Sequence, residues 1–413
     1  RLVRLRSFYL DELGGDLIAA WSGLERTGTV ELMTTGATHG YLPLLRDVPT
    51  AVKAQLGVAA DYFAGTFGHR ADGIWLPECG YYPGLERAVG SAGFRWFLLD
   101  AHGLQQAHPR PPQGAYAPVS SEGIMVFGRD PLSVREVWSR ERGFPGHPLY
   151  REYHRDLGLE DGGSGLRDFL PPGVERAPTG IKYHRVTGTT EHKALYEPAA
   201  ALRQAQRDAG RFLDARRRFL SGLTGCPHPP VMVAAFDAEL FGHWWFEGPA
   251  FLDAMIRRLD AGEGPDPVAL GEYLALHGTA AAVQPAASSW GEGGYNEAWL
   301  RPETGWVYLQ LQQAGAELQG LVREHWGRTG DERAGRVLCQ AARSLLLAQS
   351  SDWTFHLGRG AGTDYARARL RDQLARVRFL TQALRAGEVC ERRLGVLERM
   401  DNLFPELDLA HFS

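Results

Sequence analysis

The chain has 413 residues, and its 45 Lys and Arg against 49 Asp and Glu leave a formal charge of −4 with no basic or acidic tail, which argues against a nucleic-acid binder or a polybasic membrane anchor. A composition of 44% hydrophobic and 23% charged residues is that of a folded globular protein, long enough for one large core or two domains. No window reaches the roughly 18 consecutive apolar residues of a bilayer helix, and four widely spaced cysteines (Cys79, Cys226, Cys339, Cys390) without a CxxC pair point to reduced thiols in a cytoplasm.

The first residue is not Met, and the opening stretch already carries helical periodicity (Phe8, Leu10, Leu13, Leu17, Ile18, Trp21), so a further N-terminal portion is expected before Arg1. From there to residue 277, β-rich runs alternate with helix-period segments. The strands read as VELMTT (30–35), GIWLPE (73–78), FRWFLLD (94–100), IMVFGRD (124–130), GIKYHRVTG (180–188) and VMVAAFDAEL (231–240), and the helices lie near 49–65, 83–92, 196–220 and 248–260. Such alternation predicts a parallel sheet covered by helices, and with no GxGxxG or Walker pattern after any strand, a barrel is favoured. Two stretches rich in Gly and Pro, 102–118 and 142–178, read as long functional loops. Beyond 277 the pattern turns helical, near 303–325, 331–350, 363–386 and 391–400. The expected organisation is an α/β barrel over 1–277 and an all-helical domain over 278–413 packed on it.

Several predicted strands end in ionisable residues, although a strand interior is a costly place for an unpaired charge. Glu78 follows the apolar GIWLP, Asp237 and Glu239 close VMVAAFDAEL, and His39 stands between Thr38 and Gly40 after the first strand. The C-terminal strand ends of a barrel open onto one face, so two acids and a histidine would meet there. Paired carboxylates across an aromatic-rimmed cleft suit glycosidic chemistry, one attacking while the other protonates the leaving oxygen. Each residue also has a plainer reading. Glu78 and Asp237 could cap helices or pair with cations; Glu239 and Glu247 read better as structural partners; His39 could be a hydrogen-bonded core residue; Trp244 and Trp245 could be packing. His39, Glu78, Asp237 and His243 also form a metal-ligand inventory, but no HExxH, helix-spaced His pair or Cys/His cluster accompanies it, so no metal and no cofactor are expected.

The motifs THGYLPLL (38–45), WLPECGYYPG (75–84), FDAELFGHWWFEG (236–248), SSWGEGGYNEAWL (288–300) and SSDWTF (350–355), in that order, resemble glycoside hydrolase family 57 and, within it, the α-1,4-glucan branching enzymes. The likeness runs to the closing RMDNLFPELD (399–408). It implies a distorted (β/α)7 barrel, incomplete at the N-terminus here, with a small helical insertion near 83–93 and a helical C-terminal domain that helps build the cleft, and a retaining mechanism on α-1,4-glucan such as amylose or glycogen, without metal. It further implies Glu78 as nucleophile and Asp237 as general acid/base. Sugar contacts are implied for His39, Trp75, His243, Trp244, Trp290, Trp299, Asp352 and Trp353. A retaining pair needs carboxyl groups about 5 to 5.5 Å apart.

Two departures stand beside these matches. The family's histidine-bearing first strand is absent, which agrees with a preceding portion. In the loop after Asp100 the tip reads HPRPPQGAY, with prolines where branching enzymes carry a shielding tyrosine and with Tyr116 displaced toward its end. Branching is the leading expectation; α-amylase-like hydrolysis, 4-α-glucan transfer and non-catalytic glucan binding are the alternatives. Monomer and homodimer stay open, and no membrane or nucleic-acid partner is expected.

Overall fold

A computed structural model describes residues 2–139, 141–160, 166–170, 172–174, 176–325, 331–360 and 362–413, so parts of the predicted 142–178 loop lie outside the described residues. Compactness divides the chain into two units, one of residues up to Gly128 with Ala269–Ser413, the other of Arg129–Val268. In chain order the elements are α1 (Leu2–Ser7), α2 (Leu17–Arg26), α3 (Leu42–Leu45), α4 (Pro49–Phe67), β1 (Gly73–Ile74), α5 (Leu85–Ser91), β2 (Trp96–Asp100), α6 (Ala101–Gln105), β3 (Val119–Ser121) and β4 (Ile124–Arg129). The second unit holds α7 (Pro131–Trp138), α8 (Pro198–Ser221) and α9 (Gly248–Asp260). The first resumes with α10 (Leu270–His277), β5 (Ala281–Ala282), α11 (Gly305–His325), α12 (Glu332–Ala348), α13 (Ser351–Arg359), α14 (Thr363–Ala386) and α15 (Glu391–Met400).

The strand order is β1-β2-β4-β3-β5. Strands β1 and β2 run parallel, Gly73 opposite Trp96, and α5 is the crossover between them rather than an insertion. Gly73 is needed at that crossing, because a Cβ there would lie 2.1 Å from the Trp96 indole. Strands β3 and β4 are antiparallel, with Ser121 opposite Ile124. Their two-residue turn sets Glu122 at φ 47 and Gly123 at φ 84, the positive pair of a type I′ hairpin. The sheet is therefore mixed, where strand–helix alternation predicted a wholly parallel one. It is accompanied by a helix-rich C-terminal region, as a distorted barrel with a helical domain requires.

Three predicted strands become β1, β2 and β4. VELMTT keeps one parallel bridge, Thr34 to Ile74, and VMVAAFDAEL keeps one, Val233 to Arg129, before turning into a 3-10 segment at Ala238–Leu240. GIKYHRVTG forms no sheet strand. Gly180, Thr187 and Gly188 bound it at positive φ, Ile181 and Tyr183 stay exposed, and its backbone pairs with its own neighbourhood (Arg151 to Arg185, His184 to Leu195). Its alternating apolar residues Ile181 and Tyr183 meet no core face, and Val186 near its end is the residue it buries.

In the first unit one continuous core joins Ile74, Phe97, Leu99, Val119 and Val126 of the sheet to Leu318 of α11, Leu345 of α12, and Leu370 and Val377 of α14. The C-terminal helices therefore share the sheet's core rather than building their own. Helix α4 starts on Pro49 and stops at Gly68, whose φ of 80 releases the chain in a left-handed cap. The second unit's core stacks Ala201, Ala205, Ala209 and Phe212 of α8 against Phe251 and Ala254 of α9 and Val137 of α7. Burying each such phenylalanine contributes about 1.5–3 kcal/mol.

Candidate active site

Beyond β1 the chain runs through Trp75, Leu76 and Pro77 into a three-residue 3-10 turn, Pro77–Cys79. Inside it Glu78 has φ 60 and ψ 20, and Cys79 has φ 50; His39 has φ 57. Left-handed values cost non-glycine residues on the order of 1–3 kcal/mol each and persist only where neighbours over-determine them. Here the neighbours are backbone ties: Trp290 N–H donates to Glu78 O at 3.0 Å, Tyr81 N–H to Ser288 O at 2.8 Å, and Ser351 N–H to His39 O at 3.0 Å.

The Glu78 carboxylate is held at both oxygens. Trp290 Nε1–H donates to Oε2 at 2.6 Å and Ser351 Oγ–H to Oε1 at 2.7 Å, while His39 Nε2 lies 3.9 Å from Oε1. Glu78 keeps 15% side-chain exposure and His39 39%, so the acid is sheltered but open on one side. Trp75 packs edge-to-face on Trp290 with centroids 5.4 Å apart. The fold thus brings together four sequence-predicted residues, His39, Glu78, Trp75 and Trp290. Ser351, which joins them, was not singled out. Its signal was adjacency to the marked Asp352 and Trp353 in SSDWTF.

Two buried tyrosines line the vicinity. Burial, with the Glu78 charge adding to it, pushes the Tyr41 and Tyr308 hydroxyls well above the usual phenol range, so they stay neutral; Tyr41 donates to Asn296 Oδ1 at 2.9 Å. His102, just after β2, contacts Asp100 Oδ1 through Nδ1 at 3.1 Å and Gly294 O through Nε2 at 2.8 Å. The Asp100 contact, aided by Gly294, holds the imidazole above its ordinary value against the opposing effect of burial.

Trp299 is a correction. It is 1% exposed and stacked on Tyr41 at 4.1 Å and 22°, so it is a core residue with no face for a sugar. Trp353 is half-buried, its indole N–H given to Leu347 O at 2.7 Å, and Asp352 is exposed in the first turn of α13, where a carboxylate suits the helix dipole. Tyr116 closes the 3-10 turn Gly114–Tyr116 and is half-buried.

In the second unit Asp237 precedes the Ala238–Leu240 turn and is half-buried. The Trp pair splits. Trp245 is 1% exposed, in the core against Phe251, whereas Trp244 is 44% exposed and lies over Tyr153 at 4.5 Å and 32°. Trp244 Nε1–H donates to Glu239 Oε1 at 3.3 Å, and His243 Nε2 lies 3.3 Å from the Tyr153 hydroxyl. Tyr153 is a member of this group that the sequence reading did not single out, although it lies within the 142–178 loop read as functional. Glu247 is buried, accepts from Tyr196 Oη at 2.6 Å and Arg151 N at 3.1 Å, and is raised by burial, as befits a structural partner.

A strand-end carboxylate on an α/β sheet, bracketed by indole, hydroxyl and imidazole, is an arrangement suited to glycosidic chemistry, and comparison with known proteins gives the family. The model of glycosyl hydrolase family 57 matches residues 5–158, and that of the 1,4-alpha-glucan branching enzyme C-terminal region matches 310–412. The probable 1,4-alpha-glucan branching enzyme Rv3031 of Mycobacterium tuberculosis is 33% identical over 400 residues, covering 94% of this chain and 70% of that one. The chain belongs to glycoside hydrolase family 57. The 1,4-alpha-glucan branching enzyme TK1436 of Thermococcus kodakarensis is 29% identical over 442 residues, 96% of this chain, which spans 61% of that relative's length. The crystal structure of TK1436 matches with a TM-score of 0.84 at 28% identity, covering 98% of this chain and 76% of that one. The alpha-amylase AmyC of Thermotoga maritima matches with a TM-score of 0.88 at 33% identity, covering 98% of this chain and 77% of that one.

Proposed function

We propose that this chain acts on α-1,4-linked glucan by double displacement, cutting an α-1,4 bond and rejoining the released segment through a 6-hydroxyl. Glu78 is the nucleophile and Asp237 the general acid/base; residues 1–277 carry both acids and 278–413 complete the surroundings of Glu78. The observation that carries this reading is the Glu78 carboxylate, fixed by Trp290 and Ser351 at a left-handed backbone position beside His39. The relatives named as branching enzymes support the substrate and the transfer outcome. A cytoplasmic setting fits the widely spaced cysteines.

A second reading, hydrolysis of the same bond, is favoured by the likeness to an α-amylase. Whether acceptor hydroxyl or water resolves the intermediate separates the two. Incubation with amylose, followed by the iodine stain and a count of α-1,6 linkages against new reducing ends, decides between them; binding without either product would leave a glucan-binding protein. For the chemistry itself, Glu78→Gln should lower turnover on the order of 10⁴-fold or more. Thermal stability should change little, because the amide still fills the site and mispairs with one donor only, at a cost of about 1 kcal/mol. Wild-type-like turnover in that variant refutes the assignment.

A further inference from the structure

We propose that Ser351 is a positioning residue that, together with the Trp290 indole, controls how fast Glu78 leaves the covalent glycosyl-enzyme; this rests on the reading of Glu78 as nucleophile. Ser351 is the first residue of α13, is 1% exposed, and spends both of its donors on the site: its N–H on His39 O and its hydroxyl on Glu78 Oε1. Trp290 does the same from the other side, its N–H on Glu78 O and its indole on Oε2. The carboxylate is thus clamped by two donors from segments remote in sequence.

Hydrogen bonds to an ionised acceptor are roughly twice as strong as those between neutral groups. The clamp therefore favours the free carboxylate over the glycosyl ester, and it strengthens as charge returns to Glu78. In the second displacement the oxygen of an acceptor glucan hydroxyl bonds to the anomeric carbon, and its proton passes to the general base, the Asp237 carboxylate. The bond between that carbon and Glu78 breaks, leaving its electron pair on the departing carboxylate. Ser351 and Trp290 stabilise that departing charge. In the first displacement the charge on Glu78 is being lost, so removing a donor hinders attack far less.

The test uses the full chain with a maltooligosaccharyl fluoride as donor, a maltooligosaccharide as acceptor, acid quenching and intact-mass measurement of the glycosyl-enzyme. For Ser351→Ala, kcat should fall about tenfold or more, KM should fall with it, kcat/KM should hold within about twofold, and the covalent fraction at steady state should rise. Trp290→Phe, which keeps a smaller aromatic ring and removes the N–H, should likewise lower kcat and KM and raise the covalent fraction. If instead kcat/KM falls as far as kcat in both variants and no covalent species accumulates, the clamp is only structural and the inference is overturned. Peptide mapping separates the two levels: an adduct on Glu78 whose lifetime neither variant extends defeats this inference alone, whereas an adduct on another residue defeats the nucleophile assignment as well.

Discussion

The surroundings of Glu78 and of Asp237 are assembled in different ways. Glu78 is held by residues 212 and 273 positions away, Trp290 and Ser351, and sits on backbone that only such ties can keep left-handed. Asp237 instead sits on ordinary extended backbone, φ −65 and ψ 134, in a segment also tied to remote residues, with Arg129 Nε–H donating to Ala235 O at 3.0 Å and Tyr153 beside His243. A group that must attack one carbon along one line gains from being over-determined. A group that passes a proton between successive partners has no need of a left-handed backbone to fix its line of approach.

The largest effect that would break this contrast is kinetic. Asp237→Asn should lower turnover on amylose on the order of 10²–10⁴-fold. It should spare the first step on a glycosyl fluoride, whose leaving group needs little protonation, so a burst of fluoride is expected before slow turnover. Equal losses on both substrates would remove the proton-transfer role and leave Asp237 a structural residue.

Stability sharpens the comparison next. Trp299→Ala, which deletes a buried ring stacked on Tyr41, should cost about 3–5 kcal/mol in denaturant unfolding. Trp244→Ala in the second unit removes an exposed indole and should cost about 1 kcal/mol or less, while raising KM for long glucans if that ring carries substrate. Similar losses in both variants would show that exposure does not separate core tryptophan from platform.

Those two tryptophans also show where the sequence was legible. Motif order marked Glu78, His39, Trp75 and Trp290, and the fold brings all four together, because strand ends and Gly-flanked turns leave local signatures. It could not separate Trp299 from Trp290, since which indole turns inward depends on Tyr41, far away in the chain. Helices α4, α8, α9, α11, α12, α14 and α15 were readable from periodicity and from Pro and Gly punctuation. GIKYHRVTG was misread because β-propensity carries no information about whether a partner strand exists. The mixed sheet was missed because its hairpin turns on Glu122-Gly123, a two-residue signal lying between the loop read at 102–118 and the strand read at 124–130. Ser351 was invisible for a related reason: a hydroxyl's function lies in what it faces, and Glu78 is 273 positions distant.

The smallest predicted effect concerns pH and the segment that carries Trp290. Both groups facing the His102 ring, Asp100 Oδ1 and Gly294 O, are acceptors, so only the doubly protonated imidazolium donates to both at once. The Asp100 contact raises the folded value above that of the unfolded chain, about 6.5. A raised cation contributes stability that is complete below the unfolded value and is lost as pH climbs through the folded one. Gly294 also accepts from Ser289 N at 2.8 Å, next to Trp290, so loosening should be confined to that turn. Amide exchange across 289–295, corrected for intrinsic rate, should therefore be slowest below about pH 6.5 and quicken above it. His102→Gln, which retains one donor, should make that exchange nearly pH-independent. An unchanged pH profile in the variant would show that His102 does not set the mobility of the Trp290 turn, whose order would then rest on other contacts, the Glu78 ties and the Trp75 ring among them.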